Sequence, residues 1–152
     1  MKNMNKLILL LAMLLVLPAH AADGLLTIRS SHDVATTVDR LEKIVTGAGF
    51  RVFARIDHGK AAKNVDIDLK PIELLIFGKP KAGSLLMQSQ ATAAIDLPMK
   101  YLVWKDAKDQ VNISWNDPAW MAARHGIRDR AKLVTKMTGV LRKLATKAAG
   151  KE

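Results

Sequence analysis

The 152-residue chain has no cysteine. That absence excludes disulfides, thiolate catalysis, cysteine–zinc sites and iron–sulfur clusters, and also a lipid-modified cysteine at the N-terminus. Stability must then come from a packed core. A chain of about 130 residues buries roughly two thirds of the surface it exposes unfolded, enough for one domain. Acidic residues are few: 14 Asp and Glu stand against 24 Lys and Arg, for a formal net charge of +10. No HExxH or HxH spacing occurs, so any metal site would need ligands from distant segments, and neither a metal nor a cofactor is expected. After the N-terminal 21 residues no apolar run is long enough to span a bilayer, and the remaining chain is expected to be soluble without a transmembrane segment.

The one long apolar run lies at the start. Lys2 and Lys6 precede an unbroken apolar stretch at 7–17, Pro18 ends it, and Ala19-His20-Ala21 places small residues two apart. Charge, short apolar stretch and small-x-small site in that order define a secretory signal. As a helix the stretch rises about 16 Å, half of a hydrocarbon core, which argues against a retained anchor. The sequence therefore predicts a signal peptide at 1–21, cleavage after Ala21, and one exported domain at 22–152, periplasmic or secreted. There is no twin-arginine pair. Cleavage removes Lys2 and Lys6 and lowers the charge from +10 to +8. Outside the cytoplasm, nucleotides and nucleic acid are poor partners despite a pI near 10.0.

Hydrophobic periodicity gives the order strand, helix, strand, strand, helix, strand, strand, helix. This predicts an α+β two-layer sandwich with a mainly antiparallel sheet. The first strand covers 25–29, and Ser30-x-x-Asp33 reads as a capping box for a helix with Val34, Val38, Leu41 and Val45 on one stripe. Gly47 and Gly49 close that helix. The second strand, 50–56, is expected to show Phe50, Val52, Ala54 and Ile56 on one face, with a helical turn at 60–65. A central strand covers 73–77 and a loop 78–83, after which Ser84 caps a short helix. Strands at 99–104 and 111–115 form a hairpin whose turn lacks glycine. Asn116-Asp117-Pro118 opens another helix with proline at its first position. His125-Gly126 interrupts it, and a final helix covers 127–148.

Several separated blocks then agree in order. Arg55-Ile56-Asp57-His58, Leu69-x-Pro71-x-Glu73-Leu74-Leu75-Ile76-Phe77-Gly78-x-Pro80-Lys81, Leu86-Met87-Gln88, Ala94-Ile95-Asp96-Leu97-Pro98, Trp115-Asn116-Asp117-Pro118 and Ala122-x-x-His125 resemble the DUF302 family, a domain of unknown function. The likeness covers roughly 25–126. It implies a compact α+β domain that tends to form homodimers, and it implies no activity.

The candidate chemistry is dispersed. Asp57 beside His58 at a strand end suggests an oriented general base, although neighbours on a strand point to opposite faces, and either can instead cap the next turn. With Glu73 and Asp96 they form the candidate catalytic set, and His125 joins them as a possible ligand. Gly78, Lys79, Lys81 and Ser84 suggest an anion site at a helix start, or only a tight connection. Met87, Met99, Trp104, Trp115 and Trp120 line a pocket or fill the core, and Trp104 and Trp115 are expected to pack together. On the last helix Leu133, Met137, Val140, Leu141, Leu144 and Ala148 fall on one arc. Arg128, Lys132, Lys136, Arg142, Lys143 and Lys147 fall on the other; Arg130 lands near the apolar side. The leading expectation is an exported, non-catalytic binding domain for a small or anionic ligand, including an anionic envelope component. One alternative is a hydrolase or lyase using His58 with Asp57, Glu73 or Asp96. Another is peripheral membrane attachment through the basic helix.

Overall fold

The computed structural model describes residues 24–150, so the expected export segment and its cleavage point lie outside the described residues. Strand β1 (Leu25–Arg29) leads into helix α1 (Val34–Gly47), then β2 (Arg51–Asp57), the short α2 (His58–Lys63) and β3 (Ile72–Gly78). Next come α3 (Pro80–Ser89), a 3-10 turn (Ala91–Ile95), the β4 (Met99–Lys105) and β5 (Val111–Asn116) hairpin, α4 (Pro118–Arg124) and α5 (Ala131–Ala148). The strands form one sheet in the order β1-β5-β4-β3-β2, with every neighbouring pair antiparallel. This is the α+β two-layer sandwich that the periodicity predicts.

Helices α1 and α5 pack on one face of the sheet. Leu75, Phe77, Tyr101, Val103, Ile113 and Trp115 point into that layer and are buried against Val38, Leu41 and Val45 of α1 and Leu141 and Leu144 of α5. The chain has only seven aromatic residues, and four of them form a row across this face. Phe50 meets Phe77 edge-on at 5.6 Å, Phe77 stacks on Tyr101 at 4.7 Å, and Tyr101 meets Trp115 edge-on at 5.8 Å. The opposite sheet face carries Ile72, Leu74, Ile76, Leu102 and Trp104, all partly exposed.

Four local expectations need correction. Ser30 does not cap α1. Its backbone N–H still bonds Val111 in the sheet and its hydroxyl is engaged with Thr37, so the cap falls to Asp33, whose carboxylate accepts the Thr36 N–H at 2.7 Å. That hydrogen bond holds the Asp33 carboxyl below the usual carboxylate range. In β2 a register shift between Val52 and Ala54 breaks the alternation. Phe50 and Val52 therefore pack on the core, while Ala54 and Ile56 pair with Ile76 and Leu74 on the open face. Helix α3 starts at Pro80, which places Ser84 inside the helix; proline pre-sets the first helical φ, and the flanking glycines do not prevent it. Helix α5 starts at Ala131 rather than 127, because Gly126 at φ +69° reverses the chain after α4 and Ile127 turns inward.

The hairpin turn manages without glycine. Asp109 adopts the left-handed conformation, at φ +61°. The Asp106 carboxylate accepts N–H bonds from Lys108 at 2.9 Å and Gln110 at 3.0 Å.

Candidate functional site

A cavity of about 720 Å³ opens between α3, α5 and the sheet end where β3 hands over to α3. Its walls are Phe50 and Phe53 at the β2 edge, Leu85 of α3, Leu97 before β4, and Met137 and Val140 of α5. The apolar arc of α5 has two duties: Leu141, Leu144 and Ala148 enter the core, while Leu133, Met137 and Val140 stay partly exposed and face this space. Gly78 lies at the β3 end of the lining, and Ser84 supplies its one hydroxyl side chain.

Lys79, Lys81 and Lys136 complete the lining, and all three are exposed, on the solvent side of the opening. The Lys79 ammonium sits 4.6 Å from the centre of the Phe50 ring, which holds it at the wall. Among the described residues no acidic side chain lines the cavity. Among the described residues none of these lysines forms an ion pair. The site is an apolar chamber with an uncompensated positive mouth.

A second cluster braces the wall. Asp96 follows the 3-10 turn, and its carboxylate takes the His125 Nε2 at 2.7 Å and an Arg124 guanidinium nitrogen at 3.2 Å. The other imidazole nitrogen, Nδ1, bonds the Thr92 hydroxyl at 3.0 Å. The side chains of His125 and Asp96 are only 6% and 11% exposed. Lys100 donates to the carbonyls of Asp96 and Pro98 at 3.0 Å each, and burial lowers its ammonium pKa while the Asp96 charge opposes the shift. A carboxylate–imidazole–hydroxyl chain can relay a proton, but Thr92 does not line the cavity. Thr92 and Arg124 carry no sequence signal of their own; they stand in short stretches of ordinary composition.

The other candidate residues do not assemble. The Asp57 carboxylate caps α2 by accepting the Lys60 N–H at 2.7 Å, and His58 is the exposed first residue of that helix. Glu73 is buried against Arg55, 2.7 Å away, and Arg55 also holds Asp39 of α1 at 2.6 Å. Hydrogen bonds to Glu73 and Asp39 push the Arg55 pKa further up. Asp96 lies beyond the far end of these strands. Register places Val103 opposite Glu73 and Met99 opposite Phe77, so Asp96 is more than four strand residues, about 13 Å, from Glu73. The Asp96 carboxylate is met by His125, not His58.

Among the described residues no group of three His, Cys, Asp or Glu is placed to hold a metal. Trp104 and Trp115 do not pack together: Trp104 pairs with Asn112 on the open face and gives its indole N–H to Ser114, while Trp115 is in the core. Met87 and Met99 line the cavity, and Trp120 instead lies under the Arg124 guanidinium. Arg128, Lys132, Lys136, Arg142, Lys143 and Lys147 are all exposed. Arg130 precedes α5 and donates to the Leu85 carbonyl and the Gln88 side chain, both at 3.2 Å.

Two curated relatives named "Fluoride-specific ion channel FluC 1", from Brucella suis biovar 1 and Brucella abortus biovar 1, are each 44% identical over 104 residues, 68% of this chain. The chain spans only 41% and 38% of their lengths. Among solved structures, an uncharacterized conserved DUF302 protein from Bacillus stearothermophilus aligns with a TM-score of 0.71 at 16% identity, covering 86% of this chain and 98% of that one. That likeness concerns the fold. Residues 26–144 match the family described as "Domain of unknown function DUF302", and with the match covering most of the chain, the protein belongs to that family.

Proposed function

We propose that this protein is a non-catalytic binding domain, working outside the cytoplasm, whose ligand site is the cavity between α3 and α5. The observation that carries the reading is the cavity itself. Its volume of about 720 Å³ falls in the range of small-molecule sites, and its walls are apolar. The catalytic alternative has less support: Asp57, His58 and Glu73 share one strand end, but the Asp57 carboxylate is taken by the α2 cap and Glu73 by Arg55, while Asp96 lies beyond the other end. The apolar side of α5 is engaged in the core and cavity, which leaves only its Lys/Arg face for a membrane and argues against insertion. The channel activity named for the Brucella proteins is that of whole chains of which this one spans about two fifths.

A neutral apolar dye, phenylnaphthylamine, should bind the purified protein saturably, with one dye per chain. Met137→Trp should fill the chamber and abolish that binding while thermal unfolding stays cooperative. Non-saturable dye uptake, or binding undisturbed in the Trp variant, would overturn the assignment.

We propose separately that the protein is a homodimer. Support comes from the open sheet face and from the arm after α2, where Val65, Ile67 and Leu69 are 64%, 55% and 44% exposed with aspartates alternating between them. Large apolar side chains held this exposed are candidates for an interaction surface. Sedimentation equilibrium should give a dimer, and Ile67→Asp combined with Leu69→Asp should give a folded monomer. A monomeric parent protein at micromolar concentration removes the proposal.

A further inference from the structure

Resting on that cavity reading, we infer that the ligand is a single-chain amphiphile with an anionic head, its tail between α3 and α5 and its head at Lys79, Lys81 and Lys136. The walls decide the tail. Phe50, Phe53, Leu85, Leu97, Met137 and Val140 offer no hydrogen-bond partner. A polar group carried deep into such a chamber would lose its water without replacement, so the ligand's body is hydrocarbon. Met87, Met99 and Met137 are among the lining residues, and their unbranched thioethers adapt to an alkyl chain better than to one fixed ring shape.

The mouth decides the head. Among the described residues the lining holds three lysines, no acidic residue and no ion pair to those lysines, so its charge is positive. A cationic head is repelled there, and a neutral head leaves the lysines uncompensated. Ammonium groups act as compact point charges without the planar fork of arginine, so carboxylate and phosphate monoester heads satisfy them alike. The shared chemistry is therefore an oxyanion at the end of an alkyl chain.

Calorimetric titration of the protein tests this with four probes of equal chain length: alkyl carboxylate, alkyl phosphate, primary alcohol and alkyl trimethylammonium. The two anions should bind at least about ten-fold more tightly than the alcohol, from several screened ion pairs acting together, and the trimethylammonium most weakly. Lys79→Ala, Lys81→Ala and Lys136→Ala combined should bring the anions and the alcohol to the same affinity while thermal unfolding stays cooperative; an anion preference that survives in this variant overturns the head assignment. A carboxylate series should tighten by about four-fold per added methylene until the chamber is full. Equal affinity for carboxylate and alcohol in the parent protein overturns the charged head but leaves the cavity reading standing. A flat chain-length series overturns the alkyl tail. Failure of phenylnaphthylamine and all four amphiphiles to bind overturns the cavity reading itself.

Discussion

Tyr101→Ala should lower the unfolding free energy by about 3–5 kcal/mol, the range for deleting a large buried aromatic. Tyr101 is wholly buried, stacked on Phe77 at 4.7 Å and edge-on to Trp115 at 5.8 Å, so its removal opens a void in the middle of the aromatic row. The loss is not only one of packing. The phenol donates to the Leu141 carbonyl at 2.7 Å and so ties the central sheet to α5. Burial also holds the phenol well above its ordinary pKa, so it keeps its proton and remains a donor at any working pH. Tyr101→Phe separates the two contributions: the ring stays and only the hydrogen bond goes, for about 1 kcal/mol. Urea unfolding followed by circular dichroism, with an unchanged slope, gives both numbers. A loss below about 1.5 kcal/mol for the alanine variant would mean that the site collapses around the void and that α5 docks without this tether. The outcome bears on binding too, because Leu141 sits beside Val140 and both line the cavity.

Much of this architecture is legible in the sequence wherever one periodicity governs a segment. The stripe of Val34, Val38, Leu41 and Val45 is buried throughout, and strands form where 73–77, 99–104 and 111–115 predict them. Misreadings arise where a local device breaks the period. The β2 register shift leaves one trace in Phe50-x-Val52-x-Ala54-x-Ile56: Phe53, an apolar residue out of phase between Val52 and Ala54, where the backbone changes face. Ser30-x-x-Asp33 fits a capping box by composition, yet Ser30 is still held by the sheet, and the chain has to turn before any free helix N–H comes within reach. Proline at position 80 competes with two glycines, and its fixed φ prevails.

The site is harder to read for a different reason. Lys79, Lys81, Ser84, Asp96 and His125 all stand out in the sequence, but nothing local states which of them meet. Phe50, Leu97 and Met137 come from three distant segments, and only the folded sheet end brings them around one space. Asp57 next to His58 is the more conspicuous pair, yet its aspartate is consumed by a helix cap. Asp96 and His125, 29 residues apart, make the contact instead.

That contact carries the second large effect. Asp96→Ala should destabilise the protein by about 2–4 kcal/mol, since it strands a buried imidazole nitrogen and removes the countercharge of Arg124. Asp96→Asn should cost less, because the amide retains an acceptor for one of the two partners. His125→Ala should cost about 1–3 kcal/mol, with Asp96 left to Arg124 and water. The double variant isolates the contact: a coupling of about 1–3 kcal/mol is expected for two buried groups 2.7 Å apart. Additive single costs would sink the pair as a structural tie. The consequence reaches the cavity through a short path. Ala94 belongs to the 3-10 turn that also carries Thr92, and Leu97 and Pro98 follow Asp96 directly; all three line the chamber. With the tie cut, this part of the wall keeps the Lys100 bonds to the backbone, the Thr92–His125 hydrogen bond and its own packing but loses its buried anchor, so Asp96→Ala should weaken phenylnaphthylamine binding even at temperatures where the variant is fully folded. Thr92→Val, which removes one hydrogen bond at the exposed end of the cluster and leaves Asp96–His125 intact, should leave dye binding unchanged. Equal loss of dye binding in both variants would assign the effect to the 3-10 turn as a whole instead of to the buried aspartate–histidine pair.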